Sequence, residues 1–163
     1  MSVSEALEKL LRSFERYYNI KREGAVSPFV AEAEFHSHTE QYLLVKAAHL
    51  SDIDSNEFIF FSTVGILNLQ NLAELDSKAW EEGLSRVKPY NGHRNSDIAL
   101  IVLAEKIEED AFKQIKKLKH YKSYKFSLWG WSHFKVIAME TSTNRFTYNR
   151  FGSDFKKIFT TIN

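Results

Sequence analysis

The apolar segment Ile98–Ala104 constrains the fold more than any other part of the chain. It reads Ile-Ala-Leu-Ile-Val-Leu-Ala, so both faces of a strand formed by it are apolar. Strands of this kind lie in the middle of a sheet that is covered on both sides. The segment is also far shorter than the roughly 20 residues that a membrane-spanning helix needs. It therefore predicts the buried central strand of a sheet with helices packed against it.

The periodicity of the flanking residues predicts the other elements. Apolar residues at helical spacing predict helices at 2–19, 69–87 and 108–119, and a short last helix from about Gly152. Period-two alternation, with turn-forming residues between the segments, predicts the strands. The predicted strands are 29–38, 41–49, 57–63, 98–104, 121–128, 134–140 and 145–149.

These elements follow one another in the order α-βββ-α-β-α-βββ-α. The strand, helix and strand in the middle predict a parallel pair joined by a right-handed crossover, and the flanking hairpins predict antiparallel pairing. A chain of 163 residues is long enough to bury one full hydrophobic core, and two domains are not expected. We therefore predict a mixed α/β (α+β) fold, with one globular domain over residues 1–163 and a single mixed β-sheet against which the helices pack.

Charge and cysteine content narrow the classes of function. The chain has 22 Lys and Arg against 21 Asp and Glu, so its formal net charge of +1 gives no overall attraction to nucleic acid or to a membrane. It has no cysteine, which excludes disulfides, thiolate metal sites and cysteine nucleophiles. The N-terminus lacks a basic region followed by an apolar run, so no signal peptide is expected. We predict a cytoplasmic protein.

One predicted strand carries a row of side chains that bind metals and transfer protons. Period two places Glu32, Glu34, His36, His38 and Glu40 on the same face. One interpretation is a divalent-metal site, for zinc or manganese, in which His36 and His38 bind the ion together with Glu34 or Glu40. The other is a half-exposed strand whose polar face contacts water while the alternate residues pack inward. The second interpretation needs no cofactor.

The order of elements in the first part of the chain resembles the core of the restriction-endonuclease fold, which runs helix, three strands, helix and strand. That resemblance implies an acidic residue on the second strand and a Glu-x-Lys sequence on the third, which bind metal. The third strand here begins Glu57-Phe58-Ile59, so an apolar residue stands where the lysine is needed. The resemblance concerns topology, and topology alone does not imply function.

The segment Pro89–Asp97, just before the central strand, has the densest cluster of hydrogen-bonding side chains. His93 and Arg94 are suited to recognising an anion, and Asp97 can orient either of them. With Asn95 they form a candidate ligand-binding site, because loops that lead into a rigid strand often carry function. The alternative is a loop whose polar side chains satisfy their own backbone in turns.

Lysines and aromatic residues alternate after the third predicted helix. Lysines to bind phosphates and rings to stack on bases are what a single-stranded nucleic-acid surface needs. In a simpler interpretation, Tyr124, Phe126 and Leu128 form the buried face of a strand, and the lysines complement the dipole of the preceding helix. Trp129 and Trp131, on either side of a glycine in a predicted hairpin turn, then remain to contact a ligand or partner.

Two runs, His93–Ala104 and Tyr121–Trp131, resemble those of a family of small bacterial proteins without an assigned function. The likeness covers most of the chain, from Glu15 onward. It implies a bacterial, cytoplasmic, single-domain protein. It implies no activity, cofactor or catalytic residue.

Polar and aromatic clusters without a complete catalytic constellation favour a binding module. We predict a non-catalytic module that presents its polar loop and its Trp129–Trp131 turn to a small polar ligand or a protein partner, with no cofactor, no membrane and no nucleic acid. The alternative is a metal-dependent hydrolase or nuclease that uses His36 and His38 with a neighbouring glutamate, and with Asp97 as a further ligand. A single-stranded nucleic-acid binder is the third hypothesis.

Overall fold

The computed structural model describes residues 1–36, 54–90 and 93–163, with the backbone alone at residues 36, 54, 93 and 94. The helices of this part of the chain are α1 (Val3–Glu15), α2 (Leu69–Arg86), α3 (Glu109–Ile115) and α4 (Lys156–Ile162), and a 3-10 helix, Phe151–Phe155, precedes α4. The strands are β1 (Asn19–Lys21), β2 (Ala31–His36), β3 (Asp54–Leu67), β4 (His93–Ile107), β5 (Tyr121–Ser123), β6 (Trp131–Glu140) and β7 (Arg145–Tyr148).

The strands form one mixed sheet in the order β1-β2-β3-β4-β6-β5, with β7 also paired to β6. The pairs β3–β4 and β4–β6 are parallel, and the other pairs are antiparallel. The predicted parallel pair in the middle of the sheet is therefore confirmed. So is the predicted fold class, a mixed α/β fold built on a single mixed sheet.

The central strand β4 is covered on both sides, as its apolar sequence predicts. Every residue of the segment 98–104 is at most 1% exposed. Its odd-numbered residues pack in the same hydrophobic cluster as α1 and α4, whereas its even-numbered residues pack in the cluster that contains α2 and α3. We refer to these two sides of the sheet as the α1 face and the α2 face.

Both long helices begin at caps that are visible in the sequence. At the start of α1, the Ser2 hydroxyl accepts a hydrogen bond from Glu5 N at 3.1 Å, and the Glu5 carboxylate accepts one from Ser2 N at 2.8 Å. Asn68 and Asn71 form the same reciprocal pair at the start of α2. Each of these reciprocal pairs, known as a capping box, satisfies two backbone N–H groups that would otherwise lack partners in the first turn.

Helix α2 lies very close to the central strand at Gly83. A Cβ atom at this position would lie 2.5 Å from the Cγ2 atom of Ile98. Only glycine therefore allows the backbone of α2 to approach β4 this closely. No helix in the described residues is long and apolar enough to cross a membrane.

Several predicted boundaries are wrong, and three of the differences change how a segment is paired or folded. The first helix ends at Glu15 instead of residue 19, because Asn19–Lys21 pairs with β2 as strand β1. Strand β4 begins at His93, so the predicted loop residues 93–97 are extended and pair with β3. Strand β5 ends at Ser123 instead of residue 128, and residues 124–130 form a turn. The predicted strand 41–49 lies outside the described residues.

Candidate functional site

The two segments predicted to bind a ligand lie side by side in the structure. The parallel register of β4 and β6 pairs Asn95 with Trp131, and that of β3 and β4 pairs Asp97 with Glu57. Because side chains alternate along a strand, Asn95, Asp97 and Trp131 all belong to the α1 face. The site is thus at the amino ends of three neighbouring parallel strands.

A lysine that the sequence did not single out is the centre of this site. The ammonium group of Lys135, on β6, donates a hydrogen bond to Glu57 Oε2 on β3. It also lies 3.3 Å from Asp97 Oδ2 on β4 and 3.0 Å from Asp154 Oδ2 in the 3-10 helix. The side chains of Lys135 and Glu57 are only 10% and 9% exposed. One cation thereby links the three strands and the segment that covers them.

Tyr18, just after α1, completes this buried ionic cluster. Its hydroxyl donates a hydrogen bond of 2.5 Å to Glu57 Oε1, so both oxygens of Glu57 have partners. Asp97 Oδ1 is buried and has no hydrogen-bond partner among the described residues. We use the name ionic cluster for Tyr18, Glu57, Asp97, Lys135 and Asp154.

The electrostatics of the ionic cluster keep its donors protonated. Burial lowers the pKa of Lys135, but the attraction of Glu57, Asp97 and Asp154 outweighs it, so this pKa lies above its usual value. Burial and the neighbouring Glu57 carboxylate both raise the pKa of Tyr18. At neutral pH the lysine is therefore an ammonium ion and the tyrosine a neutral phenol, and neither provides the basic form that a nucleophile or general base requires.

His133 lies on the same face, two residues before Lys135. Its ring centroid is 4.2 Å from that of Phe151 and 5.2 Å from that of Tyr121. Burial lowers the pKa of His133, an effect that the Asp97 carboxylate partly opposes. A neutral imidazole here makes tilted ring contacts with both the 3-10 helix and the edge strand of the sheet.

The turn between β5 and β6 exposes large apolar side chains. Phe126 is 99% exposed and Leu128 is 76% exposed. Their predicted place on the buried face of a strand is therefore wrong. The register of β5 with β6 extends only over residues 121–123, so an alternating sequence that is typical of a strand instead forms a protruding turn. We refer to residues Tyr121–Trp131 as the aromatic hairpin.

Backbone and side-chain hydrogen bonds close the turn of the aromatic hairpin. Tyr124 N donates to Gly130 O at 2.9 Å, and Trp129 N donates to Tyr124 O at 3.1 Å. The side chain of Tyr124 is anchored as well, since its hydroxyl lies 2.9 Å from Ser132 Oγ. Three consecutive residues in the turn have positive φ angles, namely Lys125 at 50°, Phe126 at 53° and Ser127 at 69°.

Lysines surround the aromatic rings of the hairpin. Lys122 Nζ lies 5.8 Å from the centroid of the Tyr124 ring, and Lys125 Nζ lies 5.2 Å from that of Trp129. Both distances are within the range of cation–π attraction. The whole stretch 111–139 contains no aspartate or glutamate, so this part of the chain is locally basic although the chain as a whole is nearly neutral.

The predicted metal ligands do not join this site. Glu34 pairs with Phe58 in the sheet, and even-numbered residues of β3 pack on the α2 face, so Glu34 and Asp97 belong to opposite faces. Within the described ranges, no group of three His, Asp or Glu residues is placed to hold a metal ion. His38, Glu40 and the side chain of His36 lie outside the described residues.

Glu32, the first acidic residue of β2, is buried in an ion pair. It is 4% exposed, its Oε1 accepts a hydrogen bond from Arg86 of α2, and its Oε2 accepts one from Val26 N at 2.7 Å. Burial alone would raise the pKa of Glu32, but these partners lower it overall. Its role is therefore to attach α2 to the sheet.

Sequence reasoning singled out Asn95, Asp97 and Trp131, whose role in binding stays a prediction, but it missed the lysine and the glutamate that lie beside Asp97. Lys135 is a lone charged residue between Phe134 and Val136 in an apolar strand, and that isolation was the available signal. Its partner Glu57 occupies a similar position at the start of a run of apolar residues. Neither signal identifies the partner, because the pairing depends on the strand order. The side chains of His93 and Arg94 lie outside the described part of the structure.

Residues 2–161 match the family model described as Domain of unknown function (DUF8052). No curated protein and no solved structure matches the chain. The resemblance to a family without an assigned function is thus confirmed. The match assigns no ligand, partner or reaction.

Proposed function

The chain belongs to the family of this domain of unknown function, and we propose that it is a non-catalytic binding module. Its binding surface consists of the aromatic hairpin and the adjoining start of β4, including Asn95 and Asp97. The observation that carries this proposal is the 99% exposure of Phe126 on a turn that is closed by backbone hydrogen bonds.

The fold itself does not use the side chains at the tip of the hairpin. Full burial of a phenylalanine or leucine side chain is worth roughly 1.5–3 kcal/mol, and Phe126 and Leu128 leave most of this unused in the free protein. Burial of both against a partner would therefore be a substantial part of a binding free energy. Apolar anchors of this kind dominate many protein interfaces.

The backbone of the turn supports the same proposal. A left-handed conformation costs a residue with a side chain roughly 1–2 kcal/mol, and Lys125, Phe126 and Ser127 all adopt it. Strain that a structure maintains tends to occur at functional positions. Here it occurs in the same turn that exposes Phe126 and Leu128.

The ionic cluster supports binding more than catalysis. Its lysine is protonated and shared among three carboxylates, and its tyrosine donates to one of them. These contacts fix the amino ends of the three strands from which the hairpin and Asn95 project. Rigid support lowers the entropy that a binding surface loses on complex formation. A small polar ligand at residues 93–97, and a bacterial cytoplasmic setting, remain predictions from the sequence.

Fractionation of a lysate of the native organism tests this proposal. We expect the tagged wild-type protein to migrate with its partner and the variant Phe126→Ser/Leu128→Ser to migrate as the free 19.0 kDa chain. A matched control is Ile66→Ser/Leu69→Ser, which removes two exposed apolar side chains at the opposite end of the sheet. If the wild type, the hairpin variant and the control all migrate alike, the hairpin is not the binding surface.

A metal-dependent hydrolase or nuclease stays the second candidate as a prediction from the sequence, because its proposed ligands His38, Glu40 and the side chain of His36 lie outside the described residues. It predicts that zinc or manganese raises the melting temperature of the protein by preferential binding to the folded state. The double change His36→Ala/His38→Ala should abolish that rise if the histidines bind the ion. No rise in the wild-type protein would exclude this candidate.

A further inference from the structure

We propose that the partner of the aromatic hairpin is an anionic phospholipid surface. This inference rests on the proposed function and names the chemistry of what the module binds. The net charge of +1 gave no reason to expect a membrane. The structure changes that expectation because it shows where the charge and the exposed apolar groups are.

Six exposed lysines lie on the hairpin or precede it in the sequence, and no acidic residue lies among them. Lys122 and Lys125 lie on the hairpin, and further lysines lead into it from α3. All of these lysines are exposed, and no acidic residue interrupts the segment 111–139. Each lysine close to an anionic leaflet contributes roughly 1 kcal/mol of attraction. The exposed lysines of this segment are residues 113, 116, 117, 119, 122 and 125, whereas Lys135 is buried in the ionic cluster.

The apolar and aromatic side chains are arranged as in a membrane-binding loop. Phe126 and Leu128 are at the tip of the turn, where they can enter the boundary between headgroups and acyl chains. Tyr121, at the base of the hairpin, is 52% exposed, and Trp129 is partly exposed beside Lys125. Tyrosine and tryptophan favour the headgroup level, and lysines extend their ammonium groups toward phosphates.

The shape and composition of the hairpin favour a lipid surface over the other anionic partners. The apolar groups protrude on a convex turn, so a protein partner would need a matching pocket, whereas a bilayer needs none. Leu128 has no ring and cannot stack on a base, which single-stranded nucleic acid requires. The cations near the tip are lysines, which act as point charges, and not the arginines that recognise phosphates by paired hydrogen bonds.

Co-sedimentation with vesicles tests the inference. We expect the wild-type protein to sediment with vesicles of equal parts phosphatidylcholine and phosphatidylglycerol, and not with phosphatidylcholine alone. Phe126→Ser/Leu128→Ser should weaken the binding about tenfold or more, since the tip no longer inserts. Lys122→Gln/Lys125→Gln should weaken it by about fivefold per lysine and reduce its dependence on salt.

Matched controls distinguish binding by the hairpin from nonspecific binding through exposed lysines or exposed apolar side chains elsewhere. Lys156→Gln/Lys157→Gln removes two exposed lysines of α4, and Ile66→Ser/Leu69→Ser removes two exposed apolar groups at the far end of the sheet. Both should bind the mixed vesicles as the wild type does. Equal loss in these controls, or no wild-type binding to the mixed vesicles, overturns the inference.

The outcome also distinguishes this inference from the proposed function. A further outcome is that the wild type fails to bind vesicles but still migrates with a protein or nucleic acid from the lysate, while the hairpin variant no longer migrates with it. In that case the lipid partner is wrong and the proposal of a binding module stands. If the hairpin variant changes neither the binding to vesicles nor the migration with a partner from the lysate, both proposals fail.

Discussion

At the scale of single residues, Lys135 is the residue on which the candidate site depends. It is 8% exposed and contacts carboxylates from two other strands and from the 3-10 helix. A buried ion pair adds little stability in comparison with an apolar replacement of both partners, but removal of one partner leaves an uncompensated charge. Lys135 is therefore an anchor whose loss is costly and whose presence fixes the positions of Glu57 and Asp97.

The substitution Lys135→Met tests this anchor. It leaves Glu57 and Asp97 without a cation in a site shielded from water, so we expect the free energy of unfolding to fall by about 3–5 kcal/mol. Urea unfolding followed by circular dichroism measures the change. Lys156→Met, at an exposed lysine of α4, should change it by less than about 0.5 kcal/mol. Equally small effects of the two substitutions would show that the cluster is not an anchor.

Glu140, at the other end of β6, makes the stability depend on pH. Burial would raise its pKa, but hydrogen bonds from Ile107 N, Thr143 and Arg145 lower it from 4.5 to about 2. A carboxylate whose pKa is lower in the folded state than in the unfolded state stabilises the fold at pH values above its unfolded-state pKa. That stabilisation is lost as the pH falls toward its folded-state pKa. We expect the free energy of unfolding to fall by about 2–3 kcal/mol between pH 4.5 and about 2.

Glu140→Gln is the variant that isolates this effect. It should be less stable than the wild type at pH 7 and should lose less stability on acidification, so the two unfolding curves converge near pH 2. Chemical unfolding at a series of pH values measures the difference. A constant gap between the two proteins across that pH range would contradict the assignment.

At the scale of elements, the sequence predicted what depends on local pattern and missed what depends on pairing. The central strand and the helices packed against the sheet were predictable, because apolar periodicity determines them locally. The end of β5 at Ser123 was not predictable, because Phe126 and Leu128 continue the alternating pattern of a strand. The ionic cluster was not predictable either, because Glu57 and Lys135 meet only through the position of β4 between their strands.

The turn of the aromatic hairpin offers a test at this scale. Ser127 has a φ angle of 69°, which glycine adopts without strain, so Ser127→Gly should raise the free energy of unfolding by about 0.5–1 kcal/mol. Ser123→Gly, in the extended strand β5, should lower it by about the same amount. Thermal unfolding of both variants measures the contrast. A loss of stability in Ser127→Gly equal to that in Ser123→Gly would mean that the turn is not left-handed.

At the scale of the whole molecule, the packed interior of the sheet differs from the end that we propose as the binding surface. Helices pack against both faces of the sheet, so the side chains of the sheet interior are buried in the two hydrophobic clusters that stabilise the fold. The amino ends of β4 and β6 carry the polar residues, and the hairpin beside them carries Phe126 and Leu128. The nearly neutral net charge conceals a basic segment at 111–139 that acidic residues balance elsewhere in the chain. We therefore interpret the molecule as a rigid support that presents one binding hairpin.

Photo-crosslinking in cells of the native organism tests that interpretation most directly. Benzoylphenylalanine at position 126 replaces one exposed aromatic side chain by another, and the same residue at position 66, which is 52% exposed at the opposite end of the sheet, is the control. We expect light-dependent adducts at position 126 and few at position 66, with lipid adducts if the partner is a membrane. Equal adduct formation at the two positions, or none at position 126, would contradict the hairpin as the binding surface.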